Sequence, residues 1–211
     1  HEFNAGCQLL AKALNEQSGL DVHATVINGW PEDESVFSGV DAVIIYSDGT
    51  KVISHGWEKA DQLAKTGVGL MFMHYAVHPS PEEGERYFRP WIGAAMETGW
   101  SVNPHWTADF QLFPDHPISS GVKPFAINDE WYYHMRFREN MKGVTPVLSA
   151  MPSADTLKRR DGAHSGNPHV REAVLKRKEA QHVAWAYQRG KDYNDGRGFG
   201  FTGGHNHVNW G

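Results

Sequence analysis

The sequence predicts an α/β fold built on a parallel sheet with helices on both faces. Two continuously apolar runs, Asp41 to Tyr46 and Val68 to Met73, read as strands buried on both sides. Between them Trp57, Ala60, Leu63 and Ala64 fall at helical spacing. Such alternation of strand and helix favours parallel pairing, with ligands gathering at the carboxyl ends of the strands.

Phe3, Cys7, Leu10 and Leu14 recur at steps of four, three and four, which predicts an opening helix with one apolar face, stopped near Gly19. Leu20 to Ile27 then reads as a strand with Val22, Ala24 and Val26 on one side. Gly67 breaks the second helix and Val68 to Met73 follows as a strand. Further on, Trp106 to Phe113 suits a strand that leads to Asp115-His116-Pro117-Ile118. Glu130 to Arg138 alternates, with Trp131, Tyr133, Met135 and Phe137 on a core face and Tyr132, His134, Arg136 and Arg138 on a polar one. Residues 144 to 149 form another short strand. Pro152 to Gln181 has no sustained period and carries seven Lys or Arg, so it reads as a long loop with a short helix near Val170 to Lys178. Long structureless loops in compact domains are often functional. The last two strands, His182 to Arg189 and Gly198 to Gly203, are joined by a turn at Asp195-Gly196 and pair antiparallel.

With 211 residues and 40% hydrophobic composition, one domain is expected. The net charge of −5 and the lack of an apolar run of about 18 to 20 residues argue against nucleic acid and membrane insertion. Cys7 is the only cysteine, which excludes an internal disulfide and a Cys-rich zinc module.

The candidate chemistry lies in three places. His74, in His74-Tyr75-Ala76-Val77-His78, sits at the carboxyl end of a central strand, where an imidazole serves as base, metal ligand or simply a hydrogen-bonded strand end. Gly203-Gly204-His205-Asn206-His207 follows the last strand. In extended chain its two histidines would project to one side and share a metal or substrate, and the paired glycines permit close backbone approach or serve a tight turn. Asp129-Glu130-Trp131-Tyr132 offers a carboxylate, read as acid, base or sugar ligand, or as a solvated charge. Trp100, Trp106, Trp131, Tyr132 and Trp210 provide surfaces for sugar stacking or for packing, and Asn103-Pro104-His105-Trp106 is a further candidate loop. No Gly-x-Ser-x-Gly elbow, P-loop or Gly-x-Gly-x-x-Gly is present to support a hydrolase, kinase or dinucleotide reading.

The order and spacing of His1 to Cys7, Asn28 to Pro31, Gly69 to His74, Asp115 to Ile118, Asp129 to Tyr132 and Gly203 to His205 resemble ThuA-like (trehalose utilisation) domains over nearly the whole chain. The resemblance implies the class I glutamine amidotransferase-like, flavodoxin-like three-layer sandwich with a mainly parallel sheet. It also implies a native first strand before His1 and a last helix after Gly211. His74 takes the elbow position of the amidotransferase nucleophile and His205 resembles its late histidine. Cys7 lies on the first helix, so glutaminase chemistry is excluded, because imidazole cannot form the thioester.

The implied context is carbohydrate metabolism, with a keto-sugar as substrate for an isomerase, lyase or hydrolase. His74, Glu130 and His205 are then expected as catalytic residues, and Tyr75, His105, Trp131, Tyr132, His134 and Arg136 as substrate contacts. A divalent ion such as Zn is expected, if one is used, at His74, His205 and His207. The alternatives are a non-catalytic carbohydrate-binding module and an assembly or regulatory protein. A small carbohydrate is the expected partner and self-association stays open. The charge and the lack of a long apolar run predict a soluble protein, and the compartment, bacterial cytoplasm or periplasm, stays open.

Overall fold

The structure, a computed structural model, describes residues 2–210. Its first element is helix α1 (Phe3–Glu16), whose predicted apolar face is only half-buried. The strands are β1 (Ala42–Tyr46), β2 (Gly69–Met73), β3 (Ala94–Ala95), β4 (His105–Phe110), β5 (Phe125–Glu130), β6 (Arg136–Phe137), β7 (Val144–Ala150), β8 (Gln181–Gln188) and β9 (Arg197–Phe201). Helix α2 (Trp57–Lys65) precedes β2. A continuous helical segment runs from α3 (Pro81–Glu83) through a π turn (Gly84–Phe88) into α4 (Arg89–Ile92). The short α5 (Pro168–Arg171) continues as a π turn through Glu172–Lys176, close to the predicted helix in the long loop.

The central sheet has five strands in the order β1-β2-β9-β8-β7. The pairs β1–β2 and β2–β9 are parallel, whereas β8–β9 and β7–β8 are antiparallel. The sheet is therefore mixed, and this corrects the mainly parallel expectation. Apolar residues cannot report strand direction, and the antiparallel half arises because the chain turns back after β7 and again after β8.

Successive residues of β8 point to opposite faces of this sheet. Trp185 enters a core with Phe72, Phe88, Trp91 and Ile92, while Ala184 and Ala186 enter a second core with Val102, Trp131, Val170 and Val174. The segment 81–92 thus covers one face and the helix that begins at Pro168 covers the other.

Three sequence readings change. Leu20 to Ile27 is not a strand: the Asn15 amide takes both the N–H and the C=O of Ala24, and Leu20, Val22 and Ile27 stay exposed. In consequence β1 is an edge strand, with Ile44 40% exposed, rather than one buried on both faces. Glu130 to Arg138 is not one alternating strand. The true strand is β5, ending at Glu130, after which Trp131, Tyr132 and Tyr133 are all buried and His134 takes a left-handed φ of 58°. Three consecutive buried aromatics break the two-residue period because this segment passes between the two cores instead of along a sheet surface.

The parallel half positions the site. Tyr46 pairs with Met73, and Met73 with Phe201, so β1, β2 and β9 end at one edge and release Ser47, His74 and Thr202 together. Glu130, the last residue of β5, pairs with His105 at the start of β4.

Candidate active site

His74 leaves β2 with φ 52°, a conformation that a non-glycine residue holds only where its surroundings enforce it. Its ring is fully buried. Nδ1 lies 3.0 Å from the Thr202 carbonyl oxygen, which only accepts, so Nδ1 carries the proton and Nε2 presents its lone pair. Around Nε2 stand the Tyr132 hydroxyl at 3.3 Å, His205 Nδ1 at 3.3 Å and Glu130 Oε2 at 3.5 Å. Burial drives the His74 pKa down to about 4, so the ring is neutral at physiological pH.

Glu130 closes the group. Its Oε2 is 2.9 Å from His205 Nδ1, and its Oε1 accepts from Asn103 Nδ2 at 3.0 Å. Burial raises the Glu130 pKa, which makes the carboxylate a better proton acceptor than an exposed one. Burial lowers that of His205, followed by the nearby His105. Donor atoms of His74, Glu130 and His205 all lie within 4.8 Å of one another. Among the described residues this is the group of three or more His, Cys, Asp or Glu side chains able to hold a metal ion.

Asp129 holds the group in place. It is 2% exposed, and its Oδ1 accepts from the backbone N–H of Glu130 (2.8 Å), His205 (3.0 Å) and Asn206 (3.0 Å). Its Oδ2 accepts from Gly204 N–H at 2.9 Å and from Asn209 Nδ2 at 3.3 Å. One buried carboxylate therefore clamps the loop after β9 to the end of β5. The loop reaches it because Gly203 lies flat on Trp131, where a Cβ would sit 2.3 Å from the ring, and because Gly204 adopts φ 104°. The Tyr46 hydroxyl donates to the Gly204 carbonyl at 2.7 Å.

The other predicted residues divide. Tyr132, buried, contributes its hydroxyl, whose pKa burial and then the Glu130 charge push up. His105 stands exposed at the rim, its ring edge-on to His205 with centroids 4.8 Å apart. Tyr75 is half-buried beside Gly49 and His78.

Trp131 is 2% exposed and packs on Phe110 and Phe201, so its ring is core and not a stacking platform. His134 and Arg136 belong to a separate cluster. The His134 ring stacks on Trp100 and its Nδ1 meets the Trp100 carbonyl at 3.0 Å, while Arg136 covers Trp100 at 3.4 Å and grips Glu97 with two hydrogen bonds. They leave the expected polar row because that strand does not form. His207 is not one of the three converging ligands: residues 207–210 form a 3-10 turn instead of extended chain, and its Nε2 accepts from Glu2 N–H at 3.1 Å. Cys7 is half-buried near the Tyr46 carbonyl and burial raises its thiol pKa, far from nucleophilic character.

The sequence reading missed Asp129 as a clamp and Thr202 as the residue that fixes the His74 tautomer. It also missed His164, from the long loop, whose ring stands edge-on to His78 at 4.7 Å. The unpatterned length of that loop was the available signal.

A family model described as ThuA, trehalose utilisation, matches residues 1–211. The chain belongs to the ThuA family. Among solved structures it is similar to a protein described as ThuA-like from Bacteroides uniformis ATCC 8492, with TM-score 0.59 and 18% identity over 97% of this chain and 78% of that one. It is also similar to a protein described as ThuA-like from Parabacteroides merdae ATCC 43184, with TM-score 0.57 and 14% identity over 97% of this chain and 76% of that one. At these identities the likeness establishes a shared mixed α/β fold with a central sheet. No curated protein matches the chain. No helix among the described residues of this ThuA-family chain is long and apolar enough to cross a membrane.

Buried histidines, in the site and outside it, make folding pH-dependent. The pKa of both His74 and His78 is lowered to about 4 by burial, and burial lowers those of His134, His164, His182 and His205 as well. An unfolded histidine titrates near about 6.5, so between there and pH 4 the unfolded chain binds protons that the folded chain refuses. Stability is therefore full above about pH 6.5 and falls as the pH drops towards 4, at up to about 1.4 kcal/mol per pH unit for each of His74 and His78, with smaller contributions in the same direction from the others. Urea midpoints of metal-stripped protein at pH 7.5, 6 and 5 are expected to decline in that order, and a flat series would contradict neutral burial.

Proposed function

We propose that this ThuA-family chain is an enzyme of carbohydrate metabolism that acts on a keto-sugar of the trehalose type, with His74, Glu130 and His205 as its reaction centre. The observation that carries this reading is the convergence of His74 Nε2, Glu130 Oε2 and His205 Nδ1 at the carboxyl end of a central strand.

The hydrogen of a carbon beside a ketone is acidified, so one well-placed base suffices to remove it. Glu130 is that base, raised in proton affinity by burial. It takes the proton while the C–H electron pair becomes the double bond of an enolate. Return of the proton to the former carbonyl carbon, with the hydroxyl proton of the first carbon passing to the former carbonyl oxygen, gives an isomer, and departure of a group with its bonding pair from the carbon on the other side gives elimination. The Nε2 lone pair of neutral His74 accepts from the Tyr132 hydroxyl, which is thereby held beside the base.

The donor set also fits a divalent ion such as Zn²⁺. Two imidazole nitrogens and one carboxylate oxygen converge, and the His74 Nδ1–H is already committed to a carbonyl, as in metal-binding histidines. His74, His205 and Glu130 Oε2 would hold the ion, leaving Glu130 Oε1 for proton transfer. When bound, the ion supplies Lewis-acid polarisation of a carbonyl oxygen.

The carbohydrate-binding module finds less support, because Trp131 and Trp106, which would have stacked on a sugar, are 2% and 6% exposed. The test is to incubate the protein with trehalose oxidised to a ketone at one ring hydroxyl, in D₂O, followed by NMR. The C–H signal beside the ketone is expected to disappear, with product following. Binding without exchange or product would favour the module, and no binding would end the carbohydrate reading.

A further inference from the structure

Two buried polar atoms beside the reaction centre, Asn103 Oδ1 and His164 Nδ1, have no hydrogen-bond partner. Buried polar groups are costly to leave unpaired, so each such atom asks for a partner. The two residues are held side by side: the Asn103 N–H donates to the His164 carbonyl at 3.1 Å. Asn103 Nδ2 donates to Glu130 Oε1 at 3.0 Å, which fixes the amide orientation and leaves Oδ1 as the orphan. The edge-on contact with His78, at 4.7 Å between centroids, sets the His164 ring plane.

We propose that Asn103 Oδ1 and His164 Nδ1 form a ligand subsite adjoining Glu130, contributed by the loop before β4 and the long loop before α5, that takes hydroxyl groups of a neutral sugar. The chemistry of the two atoms sets the ligand class. Oδ1 only accepts, so its partner must donate a hydrogen. This excludes carboxylate and fully ionised phosphate oxygens, which the neighbouring Glu130 carboxylate also repels. His164 Nδ1 donates or accepts according to tautomer, and a hydroxyl satisfies either. An ammonium group would meet Asn103 Oδ1, but it offers no lone pair to His164 Nδ1 when that nitrogen carries its proton. A neutral polyol meets all three conditions. The long loop thereby becomes one wall of the site, and Asn103 ties ligand recognition to the position of the base.

This inference rests on the carbohydrate reading above and is tested separately from it. The probes are trehalose, glucuronate and glucosamine, with binding to the full chain followed by calorimetry and NMR. His164→Phe keeps a ring against His78 and removes both nitrogens, whereas His164→Asn keeps a polar atom near the Nδ1 position. Trehalose is expected to bind the wild type more tightly than either charged sugar. His164→Phe should weaken trehalose by about fivefold or more, the worth of one hydrogen bond, and His164→Asn should stay within about twofold. Metal content should be the same in all three proteins. Wild-type trehalose affinity in His164→Phe, tighter binding of a charged sugar, or no trehalose binding at all would each overturn the subsite. If His164→Phe is indifferent while the wild type still exchanges deuterium into the keto-sugar, the subsite alone fails. If wild-type exchange is absent while His164→Phe weakens trehalose as expected, the subsite stands and the catalytic reading fails.

Discussion

Replacing Asp129 by Ala is expected to destabilise the protein by about 3 kcal/mol or more, one of the largest effects of any single substitution in this chain. Asp129 is 2% exposed and accepts from four backbone N–H groups and the Asn209 amide. Removing it leaves buried donors without acceptors, each at a cost of about 1 to 3 kcal/mol that does not add fully. The loop carrying His205 then keeps the His205 contact with Glu130 and the bonds of Asn206 and Asn209 to the Asn128 carbonyl, but loses its buried backbone anchor. Urea unfolding gives the stability loss, and deuterium exchange into the keto-sugar should fall with it. Asp129→Asn should fall between wild type and Ala, since one amide oxygen still accepts while the NH₂ faces donors. Wild-type stability in Asp129→Ala would show that the clamp carries no load.

Glu130→Gln is expected to separate activity from stability. It keeps the shape of the side chain and removes the proton acceptor, so exchange should slow by about 10²- to 10⁴-fold, the usual contribution of a positioned base. Stability should change by less than about 1 kcal/mol, because burial already disfavours the charged form that the substitution removes. A variant that exchanges at the wild-type rate would place the base elsewhere, with His105 at the rim as the next residue to test.

The sequence made the candidate site legible through position more than through pattern. Val68 to Met73 is apolar enough to identify a central strand, and the rule for α/β sheets then points to His74. Short ordered motifs supplied Glu130 and His205. The expected roles of His134, Arg136 and His207 as substrate or metal contacts rested on assumed extended chain, whereas Trp131 packs in the core, on the face its alternation already gave it. The chain instead turns at His134 and coils at His207. Asp129 was invisible because a carboxylate in a sequence looks the same whether it faces water or five donors. The antiparallel half of the sheet was only partly legible: the β8–β9 pair followed from two strands around a turn, but β7 against β8 needed a crossover through a long loop. The exposed face of β1 reflects another limit, since apolar composition predicts burial without naming the partner that provides it.

The most direct test is elemental analysis of the purified chain, after incubation with Zn²⁺ and removal of excess, beside His74→Ala and His205→Ala. About one ion per wild-type chain, lost from both variants while they remain folded by circular dichroism, is the result expected if His74, Glu130 and His205 form one centre. An ion retained in both variants would contradict it, whereas no ion in the wild type would leave the same three residues to metal-free acid–base chemistry.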